Sequence, residues 1–244
     1  MLHPTPSALV MAMHSPLLLA DVTHSLWPWA ALLLLGAVHG INPGMGWLFA
    51  VGLGMQRQQR SAVWRALAPL AAGHAAAIAV VAVVVAVAGL VIPLGTLRWV
   101  IAALLLALGI WKLARTRHPR WGGMTVSSGD LAIWSFLMAT AHGAGLMVAP
   151  FLVRLADFKA GEAGAHGGHV AHMAQMGSAL PAIPLAGVGV ALVHTAGYLL
   201  VTGLVAVIVY ERLGLRLLGR AWFNVDRLWA GALIATAALT PIIA

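Results

Sequence analysis

Polar residues are so sparse along this chain that they punctuate it. Six long apolar stretches, at roughly 27–54, 66–92, 97–114, 131–153, 182–210 and 228–244, are separated by short polar connections. About 20 predominantly apolar residues suffice for a helix to cross the hydrocarbon core, and none of these stretches alternates polar with apolar as a barrel strand would. The pattern predicts an all-α polytopic membrane protein of six transmembrane helices.

Residues 1–26 fit that pattern less well. "PSALVMAMHSPLLLADV" stays apolar for barely a dozen residues and is interrupted by His14, Pro16 and Asp21. It lacks the basic leader and small-residue cleavage site of a signal peptide. An interfacial arm is the reading, with a seventh crossing as its alternative.

Within the first stretch, "GAVHGINPGMGWLF" at 36–49 places His39 among apolar residues and follows it with Asn42, Pro43 and Gly44. A proline inside a helix cannot donate to the carbonyl four residues back, here that of His39. The expectation is a helix break that frees this carbonyl beside the imidazole. Irregular backbone at membrane depth is tolerated where it is buried or lines a cavity.

The same marks recur in order. "AVHGINPGM" at 37–45 echoes "TAHGAGLM" at 140–147, "GHAAAIAVV" at 73–81 echoes "VHTAGYLLV" at 193–201, and "LRWVIAALL" at 97–105 echoes "DRLWAGALI" at 226–234. His39 is thereby paired with His142, and His74 with His194. With three spans per half, the second copy enters the membrane from the opposite side. The expected organisation is a first repeat at 27–114, a basic cytoplasmic linker at 115–130 and a second repeat at 131–244, a 3+3 inverted-topology repeat.

Composition agrees with a membrane chain. Of 244 residues, 61% are hydrophobic and 8% charged, and the mean hydropathy is +0.94; a soluble domain carries about 25% charged residues. The net charge of +8 does not point to nucleic acid, because its distribution is lopsided. Arg57, Arg60 and Arg65 lie in the first connection, Lys112, Arg115, Arg117 and Arg120 in the third, and Arg212, Arg216, Arg220 and Arg227 in the fifth. Only Arg98, Arg154 and Lys159 fall on the other side. That bias marks cytoplasmic loops and turns both termini outward, as in a bacterial inner-membrane protein.

The candidate chemistry is histidine. His39, His74, His142 and His194 each lie inside a span, where an ionisable side chain is costly and signals function by default. All six carboxylates, Asp21, Asp130, Asp157, Glu162, Glu211 and Asp226, fall at span ends or in connections. Hard cations that prefer oxygen are poorly served, whereas neutral imidazole suits nickel, cobalt, zinc and copper. Met45, Met138 and Met147 lie near the paired histidines as candidate soft ligands or lining, and Met138 sits one turn before His142. There is no cysteine, which excludes thiolate sites. An outward loop at 154–181 is expected to carry His166, His169 and His172 as a metal-capture segment.

A histidine followed by Pro-Gly in the first span, a second histidine in the next span and a 3+3 inverted repeat together resemble the LysE-type transporter superfamily. The resemblance is nearest to its NicO-type nickel/cobalt exporters and covers roughly residues 27–244. In that branch the first motif continues with histidine, glycine and lysine; here Met45 and Trp47 stand in place of the histidine and the lysine. The resemblance implies metal export through His39, Pro43, Gly44 and His74. Its departure at Met45 leaves soft metals or a non-metal substrate open.

The functional expectation is a secondary transporter of a transition-metal cation, with the four intramembrane histidines as ligands or proton carriers. No nucleotide, haem or flavin motif is present, and an enzyme would want a general acid or base beyond histidine, whereas the spans hold no carboxylate. Two alternatives stay open: an exporter of a small organic solute such as an amino acid, and an intramembrane metal-binding enzyme or metal-insertion factor. The lipid bilayer is the partner expected throughout, and a second copy or a membrane partner subunit is left open.

Overall fold

A computed structural model describes residues 16–114, 127–164, 170–213 and 225–243, with side chains over 26–114, 127–155, 187–212 and 229–242. Every element in these segments is helical: α1 (Pro16–Ile41), a 3₁₀ turn (Pro43–Met45), α2 (Trp47–Arg57), α3 (Arg60–Val91), α4 (Leu94–Ala114), α5 (Ser128–Ala141), α6 (Ala144–Gly164), α7 (Val170–Ile208) and α8 (Val225–Ile243). A π-helical turn at Val209–Leu213 continues α7.

Among the described residues, three stretches are long and apolar enough to cross a membrane: α3, α4 and Gly187–Arg212. The pair α5 and α6, bent by 65° at its break, would make a fourth if it forms one span. Leu26–Ile41 and Trp229–Ile242 are shorter apolar helices. The helical class of the chain and its compatibility with a membrane thus follow directly.

The helix limits have local causes. Ile92 is extended ahead of Pro93, which ends α3. The Pro93 carbonyl then accepts the amides of Thr96 and Leu97, starting α4. At α5, the Ser127 hydroxyl accepts the Asp130 amide while Asp130 accepts from the Ser127 amide, closing a capping box. Gln58 closes α2 in the left-handed region at φ +50°.

Two long apolar stretches are interrupted, each just after a histidine. The first breaks where Pro43 predicts, and Gly46 turns the chain at φ +132°. The second breaks without a proline: Gly143, at φ +74°, separates α5 from α6. Both angles lie in a region that glycine enters without a Cβ penalty.

The structure departs from the sequence reading in two places. The arm expected over 1–26 is helical from Pro16 and continuous with α1. The loop expected over 154–181 is mostly helix, since α6 runs to Gly164 and α7 starts at Val170. Its alanine, leucine, methionine and glutamine content favours helix, and that preference outweighs the polar look of the segment. His166, His169 and the side chain of His172 lie outside the described residues.

Packing centres on two helix pairs, α1 against α7 and α3 against α5, with α3 also crossing α7 and α4 lying along α8. Glycines permit the closest approaches. A Cβ at Gly36 would fall on the His194 carbonyl, one at Gly197 on the Leu33 carbonyl, and one at Gly73 on the Ala132 carbonyl. The backbones of α1 and α7 therefore touch beside His39 and His194, and those of α3 and α5 beside His74.

The ends of the bundle are marked by charge. Arg60 Nε meets Glu211 Oε1 at 2.9 Å, so the start of α3 and the end of α7 share one end. Arg154 lies 5.0 Å from the Trp27 ring centroid, which joins α6 to the early part of α1.

Candidate functional site

His39 lies in the last turn of α1, His74 in the middle of α3 and His194 in α7, and the glycine contacts bring these three helices close enough for the rings to meet. Ring centroids are 4.8 Å apart for His39 and His194, 5.5 Å for His39 and His74, and 5.4 Å for His74 and His194. All three residues are 0% exposed. Histidines 35 to 155 residues apart in sequence thus form one buried triad.

Hydrogen bonding sets the state of the ring at His39. Its Nδ1 lies 2.9 Å from the Leu35 carbonyl. A carbonyl only accepts, so Nδ1 carries the proton and Nε2 presents a lone pair. That Nε2 has no partner, nor do Nδ1 and Nε2 of His74 and of His194. The Leu32 carbonyl faces the His194 ring without reaching hydrogen-bond geometry. Five of the six ring nitrogens in the triad are thus buried and unpartnered, a costly arrangement in a medium without water.

His142 is set apart. It caps α5, its Nδ1 donates to the Met138 carbonyl at 2.8 Å, and it is 6% exposed. The bond matches that of His39 four residues back in the other half. Trp229 touches both rings, with centroids 4.0 Å from His39 and 5.8 Å from His142, tilted at 80° and 70°. Of the four histidines picked out by the repeat, the structure unites three, and an indole contacts both His39 and the fourth.

The backbone at the breaks is satisfied by aromatic side chains. Trp47 Nε1 donates to the Ile41 carbonyl at 2.9 Å, Trp134 Nε1 to that of Gly44 at 3.1 Å, the Tyr198 hydroxyl to that of Met45 at 2.6 Å, and Trp229 Nε1 to that of His142 at 2.7 Å. Pro43 does not free the carbonyl of His39, because the chain has left the α-helix by then and the Asn42 amide takes that oxygen at 3.2 Å. Tryptophan commonly marks the interfaces of a membrane, but Trp47 and Trp229 are buried and bond broken backbone.

Tyr198 also stacks on His74, with centroids 4.1 Å apart and planes 10° from parallel. One side chain therefore joins the triad to the first break. Its importance is not visible in local sequence, although a tyrosine four residues after an intramembrane histidine, with a hydroxyl needing a partner, is a signal of this kind.

The remaining predicted positions are structural in this arrangement. Met45 packs with Ala77, Ala139, Ala144 and Tyr198, and Met138 borders that cluster. Met147 belongs to the larger apolar core around Leu105 and Phe151. Asn42 caps the 3₁₀ turn through Oδ1, which accepts the Gly44 amide at 2.9 Å, while its Nδ2 is buried without a partner.

The donor set of the triad is all imidazole nitrogen. Its rings meet edge to face at His39 and lie parallel between His74 and His194. Among the described residues, no three histidine, aspartate or glutamate side chains are grouped to hold a single ion as they stand. Searches against family patterns, curated proteins and solved structures return no match for this chain.

Proposed function

We propose that this protein is a secondary membrane transporter of a transition-metal cation, and that the triad of His39, His74 and His194 is where the cation binds. The observation that carries the proposal is the set of five unpartnered ring nitrogens in a fully buried cluster. Neutral imidazole suits nickel, cobalt, copper and zinc, and a second-shell carbonyl such as that of Leu35 on His39 commonly fixes a metal-ligating ring. Binding turns the His74 and His194 rings so that their nitrogens replace the present edge and face contacts.

On this reading the chain spans the membrane six times as a 3+3 inverted repeat, α1 to α4 and α5 to α8. The two broken helices meet near the site, as transporters of that architecture arrange them. Arg60 and Glu211 share one end of the bundle, consistent with a cytoplasmic placement of the basic first and fifth connections. Protons are the natural coupling ion, because a cation binds only the neutral ring. The LysE-type resemblance agrees with this reading and rests on the motif residues alone.

The test is direct. Purified wild-type protein and the H39A/H74A double variant are each exposed to nickel, cobalt, zinc or, under reductant, cuprous ion, then desalted, and bound metal is measured by elemental mass spectrometry. Retention of one of these metals by the wild type and its loss from the variant supports the reading. Equal content in both proteins for every metal overturns it.

A second reading is an exporter of a small organic solute such as an amino acid. Its support is that Asn42 Nδ2 and Thr195 Oγ1 are also buried without partners, donors that a carboxylate could accept from. Solute counterflow in vesicles that is blind to the histidine variant but abolished by N42A would favour it.

A further inference from the structure

We propose that Trp229 is an internal gate that seals the histidine triad on the side of His142, and that a cation passing between the two must first move the indole. The inference rests on the reading of the triad as a cation site and adds a direction of passage through the protein.

The geometry supporting it is local. Trp229 is 1% exposed and contacts the rings of both His39 and His142. His39 and His142 carry the same Nδ1 bond to the carbonyl four residues back, and at His39 this leaves a buried Nε2 without a partner. The two rings stand at matching positions beside the two breaks, and the indole touches both. His142 retains a little exposure, whereas His39, His74 and His194 retain none.

The gate has a latch. Trp229 Nε1 donates to the His142 carbonyl at 2.7 Å, and that carbonyl belongs to the residue at the break. Gly143 follows at φ +74°, a position where the backbone can pivot between α5 and α6. A shift of α6 relative to α5 pulls the carbonyl from the indole. The latch bond is thus made by the same backbone whose movement would open the site. An indole is also a suitable side chain to move past a cation, because its face attracts positive charge.

The experiment reads access to the rings and needs no cargo. Detergent-solubilised full-length protein is treated with diethylpyrocarbonate, and carbethoxylation of His39, His74, His142 and His194 is timed by peptide mass spectrometry for the wild type, W229F and W229A. In the wild type, His142 is expected to react well before His39. In W229A, His39 is expected to react at the rate of His142. W229F keeps the aromatic body and loses only the latch, so His39 labelling should rise about fivefold, the population change expected from losing one buried hydrogen bond.

Wild-type His39 reacting as fast as His142 overturns the gate, and so does a His39 that stays protected in W229A while His142 reacts. Unchanged labelling of W229F, monodisperse on gel filtration, overturns the latch; should W229A fail to fold, the wild-type order of labelling, His142 before His39, decides the gate. Failure of the wild type to retain any metal counts against the proposed function and leaves the labelling result, and the gate it tests, intact.

Discussion

Tyr198 offers the sharpest test of how the triad is held. Its hydroxyl donates to the Met45 carbonyl at 2.6 Å, across 153 residues, and its ring stacks on His74. Y198F removes the donor and keeps the ring. The Met45 carbonyl then loses its partner in a buried place, and Ser135, whose hydroxyl donates to the Leu70 carbonyl at 2.7 Å, is already committed. A buried unpaired carbonyl costs about 1–3 kcal/mol, and interhelical hydrogen bonds in membranes fall near the lower end of that range. A loss of about 1–2 kcal/mol is therefore expected, which lowers Tm by roughly 2–8 °C for a chain of this size. Y198L should lose about 0.5–1.5 kcal/mol more, because it also removes the aromatic contact with His74. Thermal unfolding in detergent, followed by intrinsic tryptophan fluorescence, measures both. A Y198F Tm within about 1 °C of wild type, less than even the smallest expected loss would give, would show that the Met45 carbonyl has another donor and that the tether is not structural.

Other variants probe the supporting parts. G197A places a methyl on the Leu33 carbonyl and should force α1 from α7, costing about 1–3 kcal/mol as overpacking does; an unchanged Tm would show that the helices part freely. S127A removes the capping box at the start of α5 and should cost about 1 kcal/mol, again read as Tm. R60A breaks an ion pair whose side chains are 59% and 38% exposed, so its effect should stay under about 1 kcal/mol and shrink with added salt. A larger, salt-insensitive loss would mean that Arg60 does more than pair with Glu211.

Much of this arrangement is legible in the chain because its causes are local. Apolar run length outlines the helices, Pro43 marks the first break, and His39 and His142 declare themselves as ionisable residues in apolar stretches. The second break has no proline and is betrayed only by the His-Gly pair it shares with the first. What the sequence could not show is long-range. The indole that touches both His39 and His142 comes from a helix that begins more than 80 residues after His142, and nothing in "DRLWAGALI" distinguishes an inward tryptophan from an interfacial one. The orphaned carbonyls of both breaks likewise find donors far away in sequence, except Ile41, which is served by nearby Trp47. The expected freeing of the His39 carbonyl failed because a proline rule for helix interiors was applied at a helix end, where a 3₁₀ turn supplies a different donor.

The packing also bears on how such a protein would work. Exchanging α1 with α5, α2 with α6, α3 with α7 and α4 with α8 maps most contacts onto one another. The pair α1 and α7 becomes α5 and α3, α2 with α3 becomes α6 with α7, and α3 with α6 becomes α7 with α2, all of which pack. The exchange fails mainly at α6, which packs on both α4 and α8, while among the described residues α2 makes no comparable contact with either; α3 with α4 also lacks a comparable counterpart in α7 with α8. If the halves are inverted repeats, a two-state transporter requires an asymmetry of this kind, because each state is reached when the halves trade conformations. In the opposite state α2 would lean on α4 and α8, and α6 would withdraw from them. That withdrawal would begin at Ala144, two residues after the carbonyl that holds Trp229, so the motion that exchanges the halves would also release the indole beside His39.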